Sequence, residues 1–274
     1  MSVHYDDRDA INTIRNLPQW WLQIVTAGAP SLDAATDERG VQALTAAASR
    51  ASVALGVPKA APVHDPMSPF GLLAQAFGPI HADLLDRSID AERRAAVDEL
   101  LASCLSTISH VGRSVHATTR SQTGTVASIN RSPGGAPKVA GDQAEISTRG
   151  LDGDRQRSRQ HHGRPWQAVS MWSAEVIDSL RTEGHPVQAG SAGENLTLAG
   201  LDWSRVGPGM VISIGDVLLE CSMWAEPCRH ISHCFSDGRW GRIHHDQGPV
   251  SRLYASVLRG GNVHIGDRVV VEPR

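Results

Sequence analysis

Lysine is almost absent from this sequence of 274 residues: of its 26 cations only Lys59 and Lys138 are lysine, and the rest are arginine. Long apolar runs are absent too. None approaches the roughly 18 residues of a membrane-span candidate, so no membrane association is expected. The opening stretch Met1–Arg15 is acidic and polar, without the apolar core of a signal peptide, and a cytoplasmic protein is the expectation. Cysteine is scarce, with four residues, and in that compartment they are expected as thiols rather than disulfides. An excess of positive charge is missing as well. The formal net charge of −3 argues against a general nucleic-acid binder.

What is present is enough apolar residue, 41%, against 20% charged, to build packed cores and to exclude wholesale disorder. The length suits two small domains. In the first part, Ala, Leu, Ile and Val recur every three to four residues through Asp9–Val25, Asp37–Leu55, Phe70–Leu85 and Asp90–Val115. Asp37 and Asp90 serve as N-caps, and Pro58, Pro62, Pro66 and Pro69 mark one long connection. Four such segments predict a helical bundle over residues 1–118, of unassigned role. His81, His110 and His116 fall on these helices, but no two are four residues apart, so packing describes them better than metal ligation. Trp20 and Trp21 read as core or domain-interface residues.

The character changes near Ser121, where helical periodicity gives way to short β-like runs. These are Thr125–Asn130, Ala144–Thr148, Gln167–Trp172, Asn195–Leu198, Met210–Ile214, Val217–Met223, Leu253–Leu258 and Arg268–Val271. Glycine turns such as Gly207-Pro208-Gly209 and Gly260-Gly261 separate them. One helix is clear, with Ser173 as N-cap, Glu175 in its first turn, Val176, Ile177 and Leu180 on its apolar face, and Gly184 as its stop. The expected fold is therefore α+β: a helical bundle over 1–118, then a β-barrel-like domain over 119–274.

Four features of the second domain carry chemistry. Cys228 follows Pro227 at the end of a strand and precedes Arg229 and His230, a setting that favours a thiolate. The window Cys228-Arg-His230-Ile-Ser-His233-Cys234 is dense in metal ligands, so structural zinc is an alternative, although the two Cys lack the paired spacing of zinc modules. His244-His245 adds a weak doublet. Cys221 alternates with Leu219 and Met223 and is expected to be buried, and Cys104 sits among helical Leu. The second feature is the run from Arg149 to Arg164, which holds Arg149, Arg155, Arg157, Arg159, Arg164, His161 and His162 with Asp152 and Asp154 offsetting part of the charge. It reads as a solvated loop or as an anion pocket of forked guanidinium groups. The third is Ser132-Pro-Gly-Gly-Ala-Pro-Lys138, whose glycines allow close backbone approach and whose lysine offers a point charge. The fourth is Gly193-Glu194-Asn195 before a strand, where Glu194 and Asn195 either orient a ligand or brace a loop.

Taken in order, these motifs resemble the MOSC domain, named for the C-terminal domain of molybdenum cofactor sulfurases, and in particular its stand-alone bacterial YiiM-like branch. The matching residues begin with Gly124-Thr-Val-Ala-Ser-Ile-Asn130 and the Ser132–Lys138 loop, and continue through Gly150-Leu-Asp-Gly-Asp154, His162-Gly163 and Ala192-Gly-Glu-Asn195. Ile214-Gly-Asp216, Pro227-Cys228 and Gly266-Asp267 complete the series, so the resemblance covers about 122–273. Two positions depart from the family pattern: Arg164 stands where many relatives have glycine, and Gln167 where many have a basic residue.

The resemblance implies a β-barrel-like fold with a cleft and a molybdenum-cofactor-binding oxidoreductase that reduces small N-hydroxylated substrates. Cys228 would be both the catalytic residue and the molybdenum ligand, in keeping with the softness of a thiolate. Lys138, Arg159, His162 and Arg164 would bind the cofactor, with Glu194 and Asn195 shaping its pocket. Electrons would come from a separate donor protein, since no flavin fingerprint or Cys₄ iron–sulfur set is present. Two other classes stay open: a sulfur-carrier module with a persulfide on Cys228, and a zinc-stabilised binding module. Pyridoxal phosphate is disfavoured, because Lys138 is the only lysine in the domain to form a Schiff base.

Overall fold

The computed structural model describes residues 120–157 and 167–273, together with Glu92 and Ala95, which are helical. The remainder of the four helical segments, with His81, Cys104, His110, His116, Trp20 and Trp21, lies outside the described residues, as do Arg159, His162 and Arg164. The described C-terminal residues belong to one compact unit, Thr118–Arg274.

Eleven strands are described in this unit. They are β1 (Gln122–Arg131), β2 (Val139–Gly141), β3 (Gln143–Ser147), β4 (Gly150–Leu151), β5 (Val169–Ser173), β6 (Leu196–Ala199), β7 (Met210–Ile214), β8 (Val217–Trp224), β9 (Leu253–Arg259), β10 (Gly261–His264) and β11 (Arg268–Pro273). The helix α1 spans Ala174–Thr182 between β5 and β6. The main sheet runs β11-β7-β8-β9-β5-β6-β1-β2, and β11 pairs back onto β1, with Gln122 opposite Val271 and Thr125 opposite Arg268. That pairing closes seven strands into a barrel and leaves β2 as an appendage of β1. Every pair is antiparallel except β5–β6, which is parallel and needs the crossover that α1 supplies. A second sheet, β10-β3-β4, covers part of the barrel.

The strands form where side chains alternate between core and solvent. In β1, Gly124, Val126 and Ser128 are buried while Thr123, Thr125 and Ala127 are exposed, and β3 buries Ala144 and Ile146 between exposed neighbours. The barrel interior is filled by Ile129, Met171, Leu196, Leu198, Ile212, Leu219, Leu253 and Val269, all fully shielded. A second core lies on the α1 side: Ile177 and Leu180 of the helix meet Trp172, Val187, Ile231, Cys234, Phe235 and Ile243. This cluster matters for the site, because it seats the turn Arg229–Cys234 and the turn Trp240–Ile243, both 3₁₀ helices.

The sequence reading of the helix agrees with the structure. Ser173 Oγ accepts the Val176 N–H at 3.2 Å and donates to Glu175 at 2.7 Å, while the other Glu175 oxygen accepts the Gly200 N–H at 2.6 Å. The cap therefore fixes the start of α1 and ties it to the end of β6. All eight expected β-runs correspond to strands. The three not expected, β2, β4 and β10, are two to four residues long, too short for periodicity to register.

Trp172 joins strand β5 to the α1-side core, and its indole N–H donates to the Val250 carbonyl at 2.9 Å. Trp172→Ala is expected to destabilise the domain by about 3–5 kcal/mol. Urea unfolding measures this, and a loss under about 1 kcal/mol would contradict the anchoring role given to this side chain.

Candidate functional site

The segments leaving β1, entering β6, leaving β8 and entering β9 meet on one loop, 188–195. Lys138 N–H donates to Gly190 O at 2.8 Å, and Asn130 N–H to Asn195 O at 2.7 Å. The Arg252 guanidinium donates to Ala192 O. His233 Nε2 lies 3.2 Å from Ser191 O, and Cys234 Sγ lies 3.5 Å from Ser191 Oγ. The 250–252 segment is itself pinned by two indoles, since Trp203 donates to Ser251 O at 2.8 Å beside the Trp172 bond.

Asp154 organises the polar centre. One of its oxygens accepts the Ser132 N–H at 2.9 Å. The other takes Lys138 Nζ at 2.6 Å and Asn195 Nδ2 at 3.0 Å. Both charged side chains are nearly sealed, 7% exposed for Lys138 and 3% for Asp154. Burial lowers the pKa of the Lys138 ammonium, with the nearby Arg252 charge adding to this, while Asp154 and Glu194 pull the other way. The lysine singled out as a point charge for a ligand thus has its counter-ion inside the protein.

Glu194 is fully buried. One carboxylate oxygen accepts the Gly190 N–H at 2.5 Å and the Thr197 hydroxyl at 3.3 Å, while the other has no hydrogen-bond partner. Burial is the main cause of its raised pKa, opposed by those hydrogen bonds and by the Arg252 charge. Asn195 is equally engaged: its Oδ1 accepts from Ser170 N–H and Oγ, and its Nδ2 also reaches Asn130 O at 3.3 Å. Gly190 completes the loop with φ +80°, and a Cβ there would stand 2.6 Å from Lys138 O, so no other residue fits without displacing backbone.

The three described cysteines divide sharply. Cys221 is a core residue of the barrel, and burial pushes its thiol pKa far up. Cys234 is fully shielded in the α1-side core and is also raised, chiefly by burial. Cys228 is half-buried, caps the Arg229–Cys234 turn by its backbone, and its side chain makes no capping hydrogen bond. Among the described cysteines it alone is both reduced and open to a reactant or metal.

The zinc ligand set drawn from the sequence does not assemble. Within Cys228, His230, His233 and Cys234 the structure brings together only His233 Nε2 and Cys234 Sγ, at 3.5 Å. The 3₁₀ turn explains this: it directs Cys234 inward to Ser191 and leaves His230 and His233 exposed. Among the described residues the donors that do converge are Glu226, His244 and His245.

The structure brings Lys138, Glu194 and Asn195 together around Asp154 and the 188–195 loop, while Arg159, His162 and Arg164 lie outside the described residues. Sequence reasoning missed Asp154 as the hub, treating it only as a partial charge offset. It also missed Arg252, which is 7% exposed with an unpartnered Nε. No local signal marks an arginine before a strand. Asp154 had one: it directly follows the Gly150-Leu-Asp-Gly153 turn, in a domain that holds a single lysine.

Residues 158–270 match the MOSC domain model. Protein YiiM of Escherichia coli (strain K12) is 28% identical over 119 residues, 40% of this chain and 51% of that protein. The chain thus spans about half the length of this relative. Among solved structures, YiiM from Geobacillus stearothermophilus superposes with a TM-score of 0.42 at 21% identity, covering 57% of this chain and 76% of the other. The YUAD protein from Bacillus subtilis gives 0.47 at 16% identity, over 57% and 98%.

Two outcomes follow from the buried charges. Asp154→Ala strands the Lys138 ammonium and is expected to cost about 3–5 kcal/mol in urea unfolding. Lys138→Met should cost less, because Asp154 keeps its Ser132 and Asn195 donors. Glu194 has a raised folded pKa, so its contribution to stability is complete below the ordinary glutamate pKa of about 4.3 and is lost as pH rises through the folded value. Glu194→Gln removes that loss. The stability of the variant relative to the native protein should therefore climb as pH rises above about 4.3, and a pH-independent difference would count against a buried, titrating Glu194.

Proposed function

We propose, from the premise that this chain is a YiiM-like MOSC protein, that its C-terminal domain binds molybdenum cofactor and reduces small N-hydroxylated compounds. The observation that carries the reading is the contrast among the cysteines. Cys221 and Cys234 are sealed in cores, whereas Cys228 is half-buried at the end of β8, beside Arg229 and His230, with no capping bond on its thiol. A thiolate is the softest ligand a protein offers, which suits molybdenum.

The residues present fit such a group at Cys228, which would hold the metal. When bound, the cofactor would supply the two-electron redox chemistry for removing oxygen from an N–OH group. The overall change is R–NH–OH plus two electrons and two protons giving R–NH₂ and water, with the electrons drawn from a separate donor protein. The cofactor phosphate needs cations. Lys138 acts there through Asp154, holding the 132–138 loop against Gly190, so the direct phosphate contacts fall to Arg159, Arg164 and His162. Glu194 and Asn195 brace the 188–195 loop from inside and would thereby shape the cofactor's surroundings. A cytoplasmic setting, in which thiols stay reduced, belongs to the same reading. Among the described residues no helix is long and apolar enough to cross a membrane.

The test is metal and pterin analysis of protein made in cells that produce the cofactor. Near-stoichiometric molybdenum with oxidised-pterin fluorescence is expected. Cys228→Ser should lose the metal and the reductase activity, assayed with an electron donor, while unfolding within about 1 kcal/mol of the native protein, as a half-buried residue outside both apolar clusters allows. Folded protein without molybdenum or pterin, carrying instead a labile sulfur on Cys228 in mass spectrometry, would replace this reading with the sulfur-carrier one.

A further inference from the structure

Glu226, His244 and His245 come from two separate parts of the chain. Glu226 follows β8, two residues before Cys228, and the histidines follow the Trp240–Ile243 turn, which Ile243 anchors in the α1-side core. One donor atom from each lies within 4.8 Å of the other two. His244 Nε2 stands 2.8 Å from one Glu226 oxygen, and His245 Nδ1 stands 3.8 Å from the other. Ligands around a tetrahedral zinc with bonds near 2.0–2.1 Å are separated by about 3.3 Å, so these spacings bracket what the ion requires. The imidazole rings face each other, with centroids 4.2 Å apart and a tilt of 34°.

A second feature sits on the far side of both rings. Asp246 places one oxygen 3.2 Å from His244 Nδ1 and the other 3.2 Å from His245 Nε2. Metal-bound histidines characteristically donate their outer N–H to a carboxylate, which fixes ring orientation and tautomer. His244 Nδ1 also lies 3.3 Å from the Asp246 backbone N–H, which caps the next turn, so binding an ion at His244 Nε2 calls for the tautomer protonated on Nδ1, with that proton turned to the Asp246 carboxylate; His244 Nε2 and His245 Nδ1 are then the inner atoms, facing Glu226.

We infer that Glu226, His244 and His245 form a binding site for a divalent transition-metal ion of the zinc class, with Asp246 orienting both histidines from outside. Two imidazoles and one carboxylate suit zinc, cobalt or nickel, rather than magnesium or calcium, which take oxygen donors. The side chains keep between 17% and 37% exposure, so water completes the coordination and the ion exchanges with solvent. By joining the end of β8 to the 244–245 segment, the ion holds the stretch that presents Cys228. The inference uses none of the residues assigned to molybdenum and stands apart from that proposal.

The experiment is equilibrium dialysis of the full chain against Zn²⁺ with elemental analysis, in native protein and in a Cys228→Ser/Cys234→Ser background. Close to one zinc per chain is expected at this site, retained when both thiols are gone. Glu226→Gln and His244→Ala should each weaken it by at least tenfold, and Asp246→Asn by about 10–100-fold. Circular dichroism checks that each variant is folded. Co²⁺ in the thiol-free background gives a second readout: visible d–d bands without a sulfur charge-transfer band. Zinc bound equally by the native chain and by His244→Ala, zinc lost with the thiols, or no zinc bound at all would each overturn the inference.

Discussion

The carboxylate of Asp154 is the contact on which the polar half of this domain depends. It lies where β1 ends and receives three donors from two loops: Ser132 N–H and Lys138 Nζ from one, Asn195 Nδ2 from the other. A buried pair of this kind contributes little net stability compared with apolar packing, but it tolerates only one arrangement of its partners. Its effect is geometric. It sets the path of the 132–138 loop, and through the Lys138–Gly190 backbone bond it sets the 188–195 loop as well.

That second loop then distributes the constraint. Gly190, Ser191, Ala192 and Asn195 each hold a different neighbour, and Glu194 closes the loop on itself through the Gly190 N–H. The remaining polar atoms are not all satisfied: one Glu194 oxygen and Arg252 Nε stay unpaired in the interior. Unmet buried groups are costly. Two of the three such side-chain atoms among the described residues lie at this loop, and the third is Arg242 Nε.

The extent to which this was legible in the sequence follows the range of the interactions. Period-two runs and the Ser173 cap are local, and they located eight strands and α1. The barrel closure is not local: nothing in Gln122–Thr125 announces Arg268–Val271 as its partner. The site divides in the same way. Burial of Cys221 was readable from its neighbours on the strand, and Cys228 stood out by its setting at a strand end. The ligand window around it was misleading, because proximity along the chain is undone by a tight turn that sends Cys234 inward. Conversely, Glu226 and the His244-His245 pair are distant in sequence and meet only because the second core brings the Trp240–Ile243 turn beside the end of β8. For the helical segments before residue 120 the expectation rests on periodicity alone.

The closing pair β1–β11 has a consequence for how the domain is made. A ribosome delivers β1 first among the strands of the barrel and its partner β11 last. Until Arg268–Pro273 emerges, one edge of Gln122–Thr125 offers unsatisfied N–H and C=O groups to any other extended chain. Folding must wait for a contact between near-extreme ends of the unit, which makes it a slow, high-contact-order process. During synthesis the nascent domain is therefore an open ribbon with a vulnerable border, and its need for protection from neighbouring chains is greatest just before it is complete.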